Sequence, residues 1–212
     1  MALEYCHDVA DVIHRDIKPD NILVDKNDDI KLSDFGISME LAENGGHDLI
    51  TNNDSTLMCS PPEAFMGKMY KGKRADIWSC GVTLYFMVAG KYPFRTQSTR
   101  QALERLIKTT EPELPEQLRG THLEDLLKKL LMKTSEDRIS ISQVKEHPWV
   151  TDNGKQPVPS LEQLGIAAER KLVVNEHDIN TLWTGVNHND SKYVIVLKDS
   201  AKWADPAKTM IQ

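Results

Sequence analysis

The stretch His14-Arg15-Asp16-Ile17-Lys18-Pro19-Asp20-Asn21, followed by Asp34-Phe35-Gly36, decides the reading of this 212-residue chain. Between its two parts, Ile22-Leu23-Val24 and Ile30-Lys31-Leu32 read as short strands around the polar turn Asp25 to Asp29. Such a hairpin sets the loop ending at Asn21 beside the loop opening at Asp34. Asp and Asn side chains offer the oxygen ligands that a hard cation such as magnesium requires. A lone Asp or Asn is ordinarily a cap or a turn residue, so the argument rests on the whole set in register.

Eight positions (His14, Arg15, Asp16, Lys18, Asn21, Asp34, Phe35 and Gly36) match the H-R-D-L-x-x-x-N and D-F-G pattern of protein kinases. The chance odds are on the order of one in ten billion per placement. The chain resembles a eukaryotic-type Ser/Thr protein kinase catalytic domain over residues 1 to about 160, with the strongest motifs in the first 63. The resemblance implies ATP and Mg2+ as cofactors and a protein substrate with a Ser or Thr acceptor. It makes Asp16 the acceptor of the substrate hydroxyl proton and places Lys18 beside the γ-phosphate. Asn21 and Asp34 become the metal ligands. His14 and Phe35 would be packing residues where the lobes join.

Arg15 in this family commonly pairs with a phosphorylated residue through charge-assisted hydrogen bonds. Thr51 and Ser55 are the candidate acceptors, Asp54 is an alternative fixed negative partner, and a merely solvated loop is equally compatible. Ser60-Pro61-Pro62-Glu63 stands where the family has A-P-E, and Glu63 is then expected to pair with Arg138. Pro61 departs from that pattern, because proline fixes φ near −65° and removes a donor. Thr56 matches the threonine that touches the catalytic base in Ser/Thr kinases, although Ser55 replaces the usual glycine. Asp76 matches the aspartate that binds the catalytic-loop backbone. Lys18 and Thr56 together favour Ser/Thr over Tyr. Asp34-Phe35-Gly36-Ile37-Ser38 and His147-Pro148-Trp149-Val150-Thr151 look most like the calcium/calmodulin-dependent protein kinase kinase group.

Only thirteen residues precede His14, and none of the eleven glycines stand two apart, so no G-x-G-x-x-G phosphate loop is present. The expected fold is therefore mainly α: a kinase C-terminal lobe with a buried central helix and one small hairpin, and no N-terminal lobe. Residues 1–150 would form that lobe, and 151–212 a tail or regulatory extension. Two functions compete. One is a Ser/Thr kinase present as its catalytic half, weak or inactive alone and completed by an N-lobe-donating or regulatory protein. The other is a non-catalytic lobe that recruits partners or competes with a full-length kinase.

Composition narrows the setting. Net charge is −6 with 40% hydrophobic residues, which allows a real core and gives no electrostatic footprint for nucleic acid. Cys6, Cys59 and Cys80 are scattered and free of C-x-x-C spacing, which suits a reducing cytoplasm or nucleus better than a disulfide framework or a zinc site. The start carries acids and no apolar core, so neither a signal peptide nor a myristoylation site is expected. Trp78 to Ala89 is too short to span a bilayer, which needs about 18 apolar residues.

Residues 1–10 read as the end of a helix, and 37–54 as a polar loop without periodicity, matching an activation segment. Ala75 to Ala89 spreads apolar residues around the whole wheel and stops at Gly90, predicting a helix buried on all sides. Leu123, Leu126, Leu127, Leu130 and Leu131 predict an amphipathic helix, with shorter ones over Ser98 to Lys108 and Ile141 to His147. In the tail, Tyr193 to Leu197 would form a strand without an obvious partner. Leu161 to Asn187 is too acidic for a calmodulin-binding helix. His177 and His188 read as surface histidines rather than metal ligands, and Trp183 and Trp203 as docking residues.

Overall fold

The structure is a computed structural model that describes residues 1–164 except 27–29, 43, 52–53 and 97, together with strand residues 194–195. Helix α1 (Ala2–Asp8) leads into β1 (Val12–Ile13), and the stretch from His14 to Asn21 follows directly. Strands β2 (Ile22–Val24) and β3 (Ile30–Ser33) form the expected antiparallel hairpin, with Ile22 opposite Leu32 and Val24 opposite Ile30. That register puts Asn21 and Asp34 at the same open end of the hairpin, where the Ser33 hydroxyl donates to the Asn21 carbonyl at 3.1 Å.

The segment 37–54 differs from its expectation as an irregular loop. It contains β4 (Met39–Glu40), paired antiparallel with β1, and β5 (Leu49–Ile50), paired with β6 (Tyr70–Lys71). Two-residue strands leave no alternation in the sequence, and both partners lie far along the chain, so periodicity has nothing to register. The pairings tie the segment down on both sides: one end to the strand before His14, the other to the strand that opens the central helix.

Helix α2 (Gly72–Ala89) begins three residues before the expected Ala75 and ends at Gly90, whose left-handed φ of 66° closes the last turn onto the Phe86 carbonyl. From Gly72 to Phe86 each of its residues is buried or half-buried. Its last turn reaches the surface, with Met87 54% exposed, which corrects the expectation of burial throughout. An apolar wheel reports that neighbours exist on all sides but not where they stop.

Helix α3 (Arg100–Thr109) starts at Thr99, whose side chain accepts the Ala102 amide, and α4 (His122–Leu130) starts at Thr121, which accepts the Glu124 amide. Helix α5 (Ile141–Glu146) opens on a capping box between Ser140 and Gln143. Leu123, Leu126, Leu127 and Leu130 are all buried, while Asp125, Lys128 and Lys129 face water. Each buried leucine contributes about 1.5–3 kcal/mol. The main core joins α2, α3 and α4 around Trp78, which stacks on Phe94 at 5.8 Å. The expectation of a mainly helical body therefore holds, while the one expected hairpin is joined among the described residues by the further small pairings β1–β4 and β5–β6.

At Gly81, α2 passes close to the C-terminal end of α4. A Cβ there would lie 2.8 Å from the Leu130 Cβ and 3.0 Å from the Leu131 Cδ2. The Leu130 Cβ is fixed to its own helix and cannot swing away. Gly81→Ala is expected to lose about 1–2 kcal/mol, because overpacking outweighs the helix propensity gained. A urea unfolding midpoint measures this.

Strand β7 (Val194–Ile195) pairs antiparallel with β3, Leu32 facing Ile195 and Ser33 facing Val194, so the expected tail strand has its partner in the hairpin. His177, His188, Trp183, Trp203 and most of Leu161 to Asn187 lie outside the described residues. Burial pushes the thiols of Cys6, Cys59 and Cys80 up to about 12, which keeps them protonated. Among the described residues, no helix is long and apolar enough to cross a membrane.

Candidate active site

Asp16 is at the centre. Its Oδ1 accepts from the Thr56 hydroxyl at 2.7 Å and the Thr56 amide at 3.1 Å. Its Oδ2 accepts from Lys18 Nζ at 2.6 Å and Asn21 Nδ2 at 3.1 Å. Burial alone would raise the Asp16 carboxyl, but the hydrogen bonds from Lys18 and Thr56 outweigh it and hold the group below the ordinary carboxylate range. Lys18 shows the reciprocal balance: partial burial lowers it, and the Asp16 and Asp34 carboxylates raise it by more.

Asn21 is buried and also donates Nδ2 to the Asp16 carbonyl at 2.7 Å, so its Oδ1 is the end turned away from Asp16. Asp34 takes a left-handed φ of 62° and receives the Gly36 amide at 3.2 Å. Its carboxylate acts on both Lys18 and His14, which places it on the same side of the site as the loop that carries Asp16.

His14 does more than pack. It is fully buried, meets Phe35 edge to face at 4.5 Å, and has its Nε2 3.0 Å from the Ser33 carbonyl. Its Nδ1 accepts the Asp16 amide at 3.2 Å, so the hydrogen bonds assign the proton to Nε2. Burial pushes the imidazole down, keeping it neutral and able to serve in both directions. The residue thus ties the Asp16 loop to the strand that delivers Asp34.

Asp76 of α2 is 1% exposed and accepts the amides of His14 and Arg15, each at 2.9 Å. Arg15 holds a φ of 70°, a costly position for a residue with a Cβ. Its guanidinium reaches the Asp54 carboxylate at 2.7 Å. Thr51 is exposed, and the Ser55 hydroxyl lies 3.0 Å from that of Ser60.

Glu63 and Arg138 are 75 residues apart and form a buried bidentate pair at 2.7 and 2.9 Å. Pro61 sits at φ −77° and opens the 3-10 turn Pro62–Phe65, so its ring suits the backbone it occupies. His7 escaped the sequence reading: its Nε2 lies 2.7 Å from the second Asp76 oxygen. Nothing in the local pattern Cys6-His7-Asp8 marks it.

A helical body whose β2–β3 hairpin holds an H-R-D loop beside a D-F-G loop, with the carboxylate of one in reach of a lysine and a threonine, defines the protein kinase class. The family model described as protein kinase domain matches residues 1–150. The chain belongs to the protein kinase domain family. It is 35% identical over 173 residues to sperm motility kinase 3A of Mus musculus, covering 81% of this chain and 33% of that protein. It is 36% identical over 173 residues to sperm motility kinase 2B of Mus musculus, covering 81% and 34%. The chain thus spans about a third of the length of these curated relatives.

Proposed function

We propose that these residues are the substrate- and metal-facing half of a Ser/Thr protein kinase, which moves the γ-phosphoryl group of Mg-ATP to a Ser or Thr hydroxyl on a protein. The observation that supports it most is the crowding of Lys18, Asn21 and Thr56 on Asp16. Phosphoryl transfer has a loose transition state, so catalysis is mostly positioning and charge neutralisation. A held, ionised Asp16 orients the incoming hydroxyl and accepts its proton. To reach it, the hydroxyl takes the place of one present donor. Lys18, on its flexible stem, is the donor free to turn toward the transferring phosphoryl oxygens. The Thr56 contacts favour a short Ser or Thr acceptor.

Asn21 Oδ1 and the Asp34 carboxylate are hard oxygen donors at one end of the hairpin, a set that fits magnesium, which takes its remaining ligands from phosphate and water. The ion supplies neutralisation of phosphate charge when bound. Asp54 holds Arg15 as a phosphate would, which keeps the activation segment near the base, and Thr51 and Ser55 are further acceptors for regulation. The resemblance to the calcium/calmodulin-dependent protein kinase kinase group rests on residues 34–38 and 147–151, and the proposal is made at the level of Ser/Thr kinases.

A second reading is favoured by one fact: no G-x-G occurs in the 212 residues. These residues alone then form a C-terminal lobe that grips nucleotide weakly and binds partners or an upper lobe supplied by other sequence. Calorimetry with Mg-ATP on the 212-residue chain is expected to give a dissociation constant of about 1 mM or weaker. Micromolar binding would sink the claim that the phosphate grip lies elsewhere. For the complete kinase domain, phosphate transfer to a mixed peptide pool should appear on Ser and Thr, and transfer to Tyr alone would overturn the specificity.

A further inference from the structure

The run Tyr193-Val194-Ile195-Val196-Leu197 has no part in the catalytic account. It is aromatic and aliphatic throughout, mostly β-branched, and bracketed by Lys192 and Lys198. A run of this kind pairs with an open strand edge when it meets one, and flanking lysines restrain that tendency. The hairpin offers such an edge. In the order β2-β3-β7, β3 has β2 on one side, and on the other the pairs Leu32 with Ile195 and Ser33 with Val194 close it. The seat is definite: Leu32 and Ser33 are the last two residues before Asp34, while Ile30 and Lys31 pair with β2 alone among the described residues.

We propose that the outer side of β3, beside the Asp34 loop, is a strand-accepting surface whose occupant is this chain's own Val194–Ile195 segment, bound in cis as a displaceable latch. Nothing in this depends on the kinase reading. The side chains that β3 carries at the seat are already engaged, Leu32 in the cluster with Cys6, Val12, Ile17 and Phe35, and Ser33 with the Asn21 carbonyl. What β3 presents to an incoming strand is therefore its backbone. A ladder of two residues supplies few hydrogen bonds, and each is worth little net because water competes for the same groups. Against it stands the entropy of closing residues 165–193, which separate the strand from the helical body. The two are close enough for open and closed forms to coexist, and the closed fraction sets how often water reaches the β3 backbone.

Amide hydrogen exchange in the 212-residue chain tests this. Consecutive residues of an antiparallel strand point their amides to opposite sides, so one of Leu32 and Ser33 faces β2 and the other β7. Val194→Pro with Ile195→Pro removes both tail donors and is expected to speed exchange about tenfold at the β7-facing amide, the protection given by a latch closed about nine-tenths of the time. Its β2-facing neighbour, and Leu126 and Leu127 in α4, should not change. Val194→Thr with Ile195→Thr keeps the amides and the strand propensity and should retain most of the protection. A synthetic peptide of residues 191–198 should bind the proline variant about tenfold more tightly than the parent chain, whose seat is free about one-tenth of the time. Unchanged exchange in the proline variant, or an equal loss in the threonine one, overturns the backbone latch. Equal peptide binding to the two chains overturns the shared seat. Protection that grows with protein concentration would give the seat to the tail of a second copy and overturn binding in cis.

Discussion

Asp16→Asn in the complete kinase domain is expected to lower kcat by about 10² to 10⁴, with Mg-ATP affinity changed less than about threefold. In the role proposed for Asp16, asparagine keeps the shape but not the basicity, which leaves the substrate proton without an acceptor. It also reverses a hydrogen-bond polarity. Every present partner of the carboxylate (Lys18 Nζ, Asn21 Nδ2, the Thr56 amide and hydroxyl) is used as a donor, and an Asn NH2 set among them meets only donors. Lys18 should therefore be released along with the base. Single-turnover transfer and calorimetry measure the two quantities separately, and unchanged turnover would remove Asp16 from its role.

The pH dependence of the same site has a definite sign. Asp16 titrates below its ordinary value in the folded chain, so it is ionised throughout the neutral range. Its hydrogen bonds stabilise the fold above the unfolded carboxylate value and are lost only as pH falls through the lower folded one. Neutral His14 adds no proton-linked step near pH 7, because burial holds it down. The rate should accordingly stay flat between pH 6 and 8 as far as these two groups are concerned. An acid limb near pH 6.5 that vanishes in a His14 variant would contradict the neutral, doubly bonded imidazole.

What was legible in the sequence follows the length and regularity of each feature. The four leucines of α4 recur at i, i+3, i+4 and i+7 from Leu123 to Leu130, and the H-R-D and D-F-G loops carry their chemistry in adjacent letters. Both could be read without coordinates. Strands β1, β4, β5 and β6 could not, because each is two residues long and is defined by a partner rather than by a pattern. His7 was hidden for a related reason: its meaning comes from Asp76, 69 residues away, and histidine beside cysteine in a helix is unremarkable by itself. Glu63 with Arg138 lies even farther apart, yet was expected, since the resemblance to kinases supplied the partner that spacing alone does not.

That same pair should carry the largest stability effect in the chain. Arg138 has no exposed side-chain surface; besides its two bonds to Glu63 it donates to the Met132 carbonyl at 3.1 Å and the Arg74 carbonyl at 2.8 Å, and its guanidinium lies 5.1 Å from the Trp78 ring. Arg138→Met fills similar space but leaves the Glu63 carboxylate buried and unpaired, at an expected loss of about 3–5 kcal/mol. For a chain of this size that is a melting temperature lower by roughly 6–20 °C. Arg138→Lys keeps the charge and loses the fork, and should fall between. Adding Glu63→Gln to Arg138→Met removes the orphaned charge, so the double variant is expected to be more stable than the single one. The order of these three in urea unfolding is diagnostic. If the double variant were no better than Arg138→Met, the cost would lie in the lost carbonyl bonds and the Trp78 contact, and the ion pair would not be what fastens the Pro62–Phe65 turn to the helical body.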